Sequence, residues 1–240
     1  LYRASNAFLG HFKGGLALAT VVSCGAFSAV CGSSMATAAT MSKVAMPSMR
    51  KYNYSDGLAS GSIAAGGTLG ILIPPSVILV IYGIMTETDI GKLFIAGLLP
   101  GFIGIVLYMA AVSVTVHLKP KAGPAGVKST WAERLEAVKH VWAICGLFIV
   151  VMGGIYSGIF TPTEAAGIGA SGAFFIALLR RSLTFKRLTD TLVSAVRTTA
   201  MLFFLVIGAV LFSNFINLAG LPDALRDMVL GMDLSPVLVI

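Results

Sequence analysis

The 240-residue chain is 57% apolar and 11% charged, with 27 glycines and a mean hydropathy of +0.91, too apolar and too charge-poor for an ordinary soluble domain. Its formal charge of +7 sits in short connectors between apolar runs, where basic residues set membrane orientation, so no nucleic-acid role is required. Cys24, Cys31 and Cys145 are odd in number, show no CxxC pairing and lie in apolar stretches, which supports neither a disulfide framework nor a zinc site.

Five windows free of Asp, Glu, Lys and Arg define a polytopic membrane protein. They run from Lys13 to Lys43 (about 29 residues), Asp56 to Glu87 (about 30), Lys92 to Lys119 (about 26), Lys139 to Glu164 (about 24) and Arg197 to Asp223 (about 25), against about 20 needed to span. The chain opens on Leu1 without methionine. It closes on Val237, Leu238, Val239 and Ile240, which read as the start of another apolar segment. The expectation is an internal piece of a longer protein, in which no signal peptide can be judged.

The segment Gly14 to Met46 is bounded by Lys13 on one side and by Arg50 and Lys51 on the other, and Gly32-Ser33-Ser34 interrupts it midway. Two crossings and a turn need about 40 residues, and this segment has roughly 33. It therefore reads as a re-entrant hairpin, 14–46, of two short helices entering from the cytoplasmic side. Non-helical backbone at membrane depth is tolerated only inside protein or against a wet cavity, so Gly32, Ser33 and Ser34 form a candidate site.

Gly57 to Met85 contains Pro74-Pro75, which removes two adjacent amide donors and predicts a discontinuous membrane helix, 57–85. Gly57 and Gly61, and again Gly66 and Gly70, stand at the four-residue spacing that lets helix backbones touch. Tight packing alone is one reading of these glycines. The adjoining hairpin adds a second, because broken helices present carbonyls and amides inside the membrane.

Leu93 to Val116 predicts one crossing that puts Glu87 and Asp89 outside. Lys119 to Lys139, with Pro120 and Pro124, reads as a flexible cytoplasmic connector ending in a short amphipathic helix, WAERLEAVKH, with Trp131 and Trp142 as interfacial anchors. Val141 to Leu179 holds two crossings separated near Phe160 to Thr163. There Thr161-Pro162-Thr163-Glu164 has the order of a helix start: Thr161 as N-cap, Pro162 at the first helical position and Glu164 as the capping-box acid. After a second basic, cytoplasmic connector from Arg180 to Arg187, Met201 to Leu218 predicts a span. Leu221 to Met228 then predicts a short interfacial helix on the periplasmic side.

No acid or histidine stands within Gly14 to Ser42 or Gly57 to Thr86, whereas a proton relay normally uses one. Hydroxyls of Ser33, Ser34 and Thr68, with carbonyls freed around Gly70, Ile73 and Pro75, can instead replace the hydration shell of sodium. Helix amides at the tip can face a carboxylate. Ser33→Ala is accordingly expected to weaken sodium dependence with little effect on folding. An intramembrane serine protease lacks a general base at depth, since His11, His117 and His140 fall in or beside connectors. No GxxxxGK[ST] loop is present, so the chain is not expected to be an enzyme.

The run from Cys31 to Gly83, CGSSMATAATMSKVAMPSMRKYNYSDGLASGSIAAGGTLGILIPPSVILVIYG, is followed by IGKLFIAGLLPG (Ile90 to Gly101) and GGIYSGIFTPTEAA (Gly153 to Ala166). Together these closely resemble the large membrane subunit of tripartite ATP-independent periplasmic (TRAP) transporters. The resemblance implies an all-α polytopic membrane protein of the bacterial inner membrane, with an elevator-type ion-transporter fold of inverted repeats. It implies a sodium symporter with no organic cofactor, a small membrane subunit, a periplasmic substrate-binding protein and a small organic-acid anion as substrate. Gly32, Ser33, Ser34, Gly70, Ile73, Pro74 and Pro75 would form the first of two sodium sites. Thr37 and Thr68 are weaker candidates for the substrate cavity.

On this reading residues 1–118 are the first-repeat transport region, 119–140 the cytoplasmic connector and 141–240 the start of a second repeat with helices near 141–158, 164–179 and 200–218. A membrane segment before Leu1, and a second hairpin and second broken helix beyond Ile240, are expected. The chain departs from the resemblance at Cys31, where many relatives place a serine before the tip glycine. Three alternatives remain: a stand-alone sodium/dicarboxylate symporter needing no binding protein, an ATP-driven permease, and a purely structural membrane subunit.

Overall fold

The computed structural model describes residues 1–126, 128–139 and 141–231; His140 and the apolar run Val237 to Ile240 lie outside the described residues. Eleven helices follow in order among the described residues: α1 (Tyr2–Leu9), α2 (Gly15–Cys31), α3 (Ser34–Lys51), α4 (Asp56–Leu72), α5 (Val77–Met85), α6 (Ile90–Leu118), α7 (Trp131–Lys139), α8 (Trp142–Tyr156), α9 (Pro162–Leu179), α10 (Phe185–Leu218) and α11 (Leu221–Gly231). Among the described residues Asp56–Met85 taken across its interruption, α6, α9 and α10 are long and apolar enough to cross a membrane. A bent pair, α7 with α8, would make five. The chain divides into two compact units, Leu1–Leu179 and Arg180–Ile240.

Helix α2 is the axis of the first unit. It carries no charged residue and only small hydroxyls among its apolar side chains, as suits an enclosed helix, and α1, α3, α4 and α6 surround it. Leu16, Leu18, Val21 and Cys24 join Met41, Ala45 and Met49 of α3, and Ile63 and Leu69 of α4, in one buried core. A smaller core of Phe94, Met152, Ile155 and Ala165 joins the start of α6 to α8 and α9. The starts of α4 and α6 are capped as their sequences dictate. Ser55 Oγ accepts from the Leu58 amide at 3.3 Å, and Asp89 Oδ1 from the Lys92 amide at 2.8 Å.

Several helix ends differ from the expected ones. Helix α3 does not stop at Met46 but runs to Lys51 with Pro47 inside it. A single proline withdraws only one backbone donor, and Arg50 and Lys51 occupy the last turn, where cations favour the helix dipole. Helix α6 extends at both ends, over Ile90–Leu118. Helix α10 begins at Phe185 rather than near residue 200, because Lys186, Arg187, Asp190 and Arg197 limit apolarity without limiting helicity.

The connector after α6 is also more ordered than its prolines suggest. Pro120–Ala122 forms a 3₁₀ turn, and backbone bonds stitch this stretch to two other loops. The Gly14 amide donates to Gly123 O, Ser55 to Ala122 O and Gly126 to Gly10 O, each at 2.9 Å. Tyr54 fastens the seam, its hydroxyl accepting from the Leu16 amide at 3.2 Å and donating to Pro124 O at 2.8 Å. Burial raises the Tyr54 pKa from a value at which the phenol is already protonated at neutral pH and able to donate. Further on, the Arg134 guanidinium of α7 lies 5.4 Å from the Phe8 ring and 5.1 Å from the Trp131 ring, while its Nε donates to Ala7 O at 3.1 Å. This anchors α7 on α1.

In the second unit, α10 spans 34 residues with none buried. Gly220, at φ +68°, turns the chain into α11. The left-handed backbone there suits glycine.

Candidate functional site

Two interruptions meet face to face in the first unit. Helix α2 ends at Gly32, whose φ of +61° and amide bond to Ser28 O at 2.8 Å close the last turn in the left-handed conformation glycine takes at helix ends. Ser33 is extended, at φ −135° and ψ 122°, and its Oγ caps α3 by accepting from the Ala36 amide at 3.4 Å. Ser33→Ala therefore costs about 1 kcal/mol of helix capping.

Helix α4 ends at Leu72 and α5 begins at Val77. In a continuous helix the amides of residues 74 and 75 would bond the carbonyls of Gly70 and Ile71, but Pro74 and Pro75 have no N–H. Ile71 recovers a donor, because the hydroxyl of buried Ser76 reaches its carbonyl at 2.8 Å. Gly70 receives no such bond from residue 74. Ile73 is buried in the extended link, and its amide returns to Leu69 O at 2.9 Å.

The tip and the interruption touch through glycines. The Val77 amide donates to Gly32 O at 3.3 Å, and a β-carbon on Gly32 would drive into the Pro75 carbonyl oxygen. A β-carbon on Gly70 would lie 2.7 Å from the Ser34 nitrogen and 2.9 Å from the Ser33 oxygen. Gly32, Ser33, Ser34, Gly70 and Pro75 thus converge, with the link residues Ile73 and Pro74 behind them. The carboxyl ends of α2 and α4 and the amino ends of α3 and α5 meet here, so carbonyl dipoles and amide dipoles face the same small volume.

The two threonines are not brought together. Thr37 is fully buried, with no partner for its hydroxyl among the described residues. Thr68 is exposed on α4, donates to Ala65 O at 2.7 Å and pairs with the Tyr108 hydroxyl at 2.8 Å. Sequence reasoning missed Ser76 and Gly97. A serine directly ahead of an apolar run marks a helix start and could have drawn attention to Ser76. Gly97 of α6 lies where a β-carbon would stand 2.7 Å from Leu72 O, and the sequence gives no signal for that approach.

A cavity of 580 Å³ opens beside this arrangement, lined by Ala29, Val30 and Pro75 on one side and by Phe94, Phe148 and Val151 on the other. It is apolar and presents no charged group to a carboxylate. At its rim the start of α9 closes the reciprocal capping box expected from its sequence. The Thr161 amide donates to Glu164 Oε2 at 2.8 Å, and the Glu164 amide to Thr161 Oγ1 at 3.3 Å. Among the described residues no group of His, Cys, Asp and Glu is arranged to hold a metal ion.

Over residues 1–240 the chain matches the family described as tripartite ATP-independent periplasmic transporter, DctM component. It is 38% identical to the C4-dicarboxylate TRAP transporter large permease protein of Pseudomonas aeruginosa, over 97% of this chain and 54% of that protein. Similarity extends to the ectoine TRAP transporter large permease of Halomonas elongata, at 38% over 93% of this chain and 52% of the relative. The sialic acid TRAP transporter large permease of Vibrio cholerae is 31% identical over 100% of this chain and 56% of its own length. The chain belongs to the DctM family of TRAP transporter large membrane components, which are inner-membrane transport proteins and not enzymes. It spans about half the length of the curated relatives it matches.

Proposed function

We propose that the protein containing this chain is the transport subunit of a sodium-coupled importer of small organic acids, such as a dicarboxylate, keto acid or sugar acid. It works with a small membrane subunit and a periplasmic binding protein that delivers the substrate. In this reading α2 and α3 form a re-entrant hairpin, α4 and α5 form one broken membrane helix, and the protein moves its cargo by an elevator motion of inverted repeats. Residues 1–118 carry the first repeat, 119–140 a cytoplasmic connector and 141–240 the start of the second repeat. Gly32, Ser33, Ser34, Gly70, Ile73 and Pro75 surround the first sodium ion. No organic cofactor takes part.

The observation that carries this reading is the meeting of the hairpin tip with the α4–α5 interruption, where the Gly70 carbonyl lacks the amide that a helix would supply. Neutral oxygens in a buried setting suit a monovalent cation stripped of water. The stand-alone symporter is not favoured, since the family match and the relatives named above are all TRAP components.

The test is uptake of labelled succinate, 2-oxoglutarate, sialic acid and ectoine into proteoliposomes holding the full-length protein and its small subunit. The assay is run with and without an inward sodium gradient and the cognate binding protein. Uptake that requires both is the expected result. Uptake without the binding protein would restore the stand-alone symporter, and uptake indifferent to sodium would remove the ion assignment.

A further inference from the structure

We infer that the hydroxyls of Thr37 and Ser28 are oxygen ligands of the coupling cation, held just beneath the hairpin tip, and that Thr37 is not part of the substrate wall. This rests on the sodium reading above and assigns two groups which that reading leaves out.

Among the described residues six serine and threonine side chains are buried: Thr20, Ser23, Ser28, Thr37, Ser62 and Ser76. Four of them spend their hydroxyl protons locally. Thr20 donates to Leu16 O at 2.7 Å, Ser62 to Ala59 O at 3.0 Å and Ser76 to Ile71 O at 2.8 Å, and Ser23 bonds Ala19 O. Ser28 and Thr37 make no such bond, although both are fully buried. A helical serine or threonine ordinarily turns its hydroxyl to a carbonyl of the preceding turn, so two orphans among six require a cause. Both flank the same turn. Ser28 lies four residues before Gly32, and Thr37 lies four after Ser33. Each therefore lies about one helical turn from the tip, one on either arm of the hairpin.

The surroundings favour a cation as the missing partner. The Thr37 amide donates to Ser33 O at 3.0 Å, so Thr37 stands one helical turn under the carbonyl that lies 2.9 Å from a β-carbon built on Gly70. Pro74 and Pro75 withhold two donors from that neighbourhood, leaving lone pairs in excess of N–H groups. A hydroxyl can give a lone pair to a cation while its proton turns to one of those spare carbonyls. A cation consumes lone pairs without asking for a donor, whereas a substrate carboxylate would add more of them.

The experiment follows thermal unfolding of the full-length protein with its small subunit, in sodium chloride titrated against choline chloride at constant ionic strength. Wild type is expected to gain thermal stability with sodium. Thr37→Val, nearly the same shape without the hydroxyl, is expected to raise the half-saturating sodium concentration at least tenfold. It is also expected to melt above wild type in choline, because an unpaired buried hydroxyl has been removed. Thr37→Ser should restore the wild-type response, and Ser28→Ala should shift it severalfold.

A Thr37→Val protein with an unchanged sodium response overturns the proposal. If that protein has also lost uptake of the acid, Thr37 returns to the substrate wall; if uptake persists, the hydroxyl holds a water only. Melting of Thr37→Val below wild type in choline, with Ser28→Ala silent, means that the hydroxyl has a protein partner and also overturns it. A wild-type protein indifferent to sodium would instead sink the sodium reading itself, a failure distinct from that of Thr37 alone.

Discussion

The two glycine pairs of α4 have the same spacing and opposite surroundings. Gly66 and Gly70 lie against other helices. A β-carbon on Gly66 would stand 2.7 Å from Cys24 Sγ, and one on Gly70 would meet the backbone of Ser33 and Ser34. Gly57 and Gly61 would meet nothing within 4 Å. Small-residue spacing permits close approach but does not say which helix takes it up. What separates the pairs is the face of α4: an offset of nine residues is about two and a half turns, so Gly66 and Gly70 face the hairpin while Gly57 and Gly61 face away from it.

The comparison breaks most severely at Gly70. Gly70→Ala presses a methyl onto backbone that cannot turn aside, and a loss of about 3 kcal/mol or more is expected. Thermal melting of the full-length protein in detergent would register this as a large fall in Tm or as failure to purify a monodisperse species. Gly66→Ala meets Cys24, with Sγ at 2.7 Å and Cβ at 2.9 Å, so the two helices must give slightly and the expected loss is about 1–3 kcal/mol. A double-mutant cycle with Cys24→Ala should recover part of it.

Pro74→Ala tests the same end of α4 through its hydrogen bonds, by returning an N–H to the Gly70 carbonyl. The expected result is a roughly tenfold rise in half-saturating sodium, equivalent to about 1.4 kcal/mol of ion binding, read by the sodium dependence of uptake. Gly61→Ala should be the mildest change, neutral or stabilising by up to about 1 kcal/mol, because the methyl enters open space and alanine is the better helix former. A loss at Gly61 as large as that at Gly66 would mean that this open side is covered in the assembled transporter, and the contrast between the pairs would vanish.

How much of this was legible beforehand depended on whether the signal was local. The tip at Gly32 to Ser34, the interruption at Pro74-Pro75 and the capping box at Thr161 and Glu164 are written into a few adjacent residues, since glycine, proline and capping side chains act on their own backbone. Their meeting was not legible: no local rule places Gly32 against Pro75 or Gly70 against Ser33. Thr37 illustrates the same limit. The resemblance pairs it with Thr68 as a candidate for the substrate cavity, yet Thr37 lies in the interior with no hydroxyl partner among the described residues and Thr68 is outside, bonded to Tyr108. Side-chain burial is a property of neighbours, and the sequence does not list them. The extent of α10 was missed for a different reason, since apolarity marks what a bilayer accepts while helicity continues through charged residues.

The seam around Tyr54 changes how much free tether separates α6 from α7. By composition, the prolines and glycines from Lys119 onward read as a leash whose whole length could pay out. Yet Ala122, Gly123, Pro124 and Gly126 are fastened to the loops before α2 and α4. The floor of the hairpin, the entry to α4 and the exit of α6 therefore share one knot, and a displacement of α6 is passed to the hairpin rather than absorbed by slack. Most of the stretch from Lys119 to Gly126 is thus part of the packed frame and not a free tether.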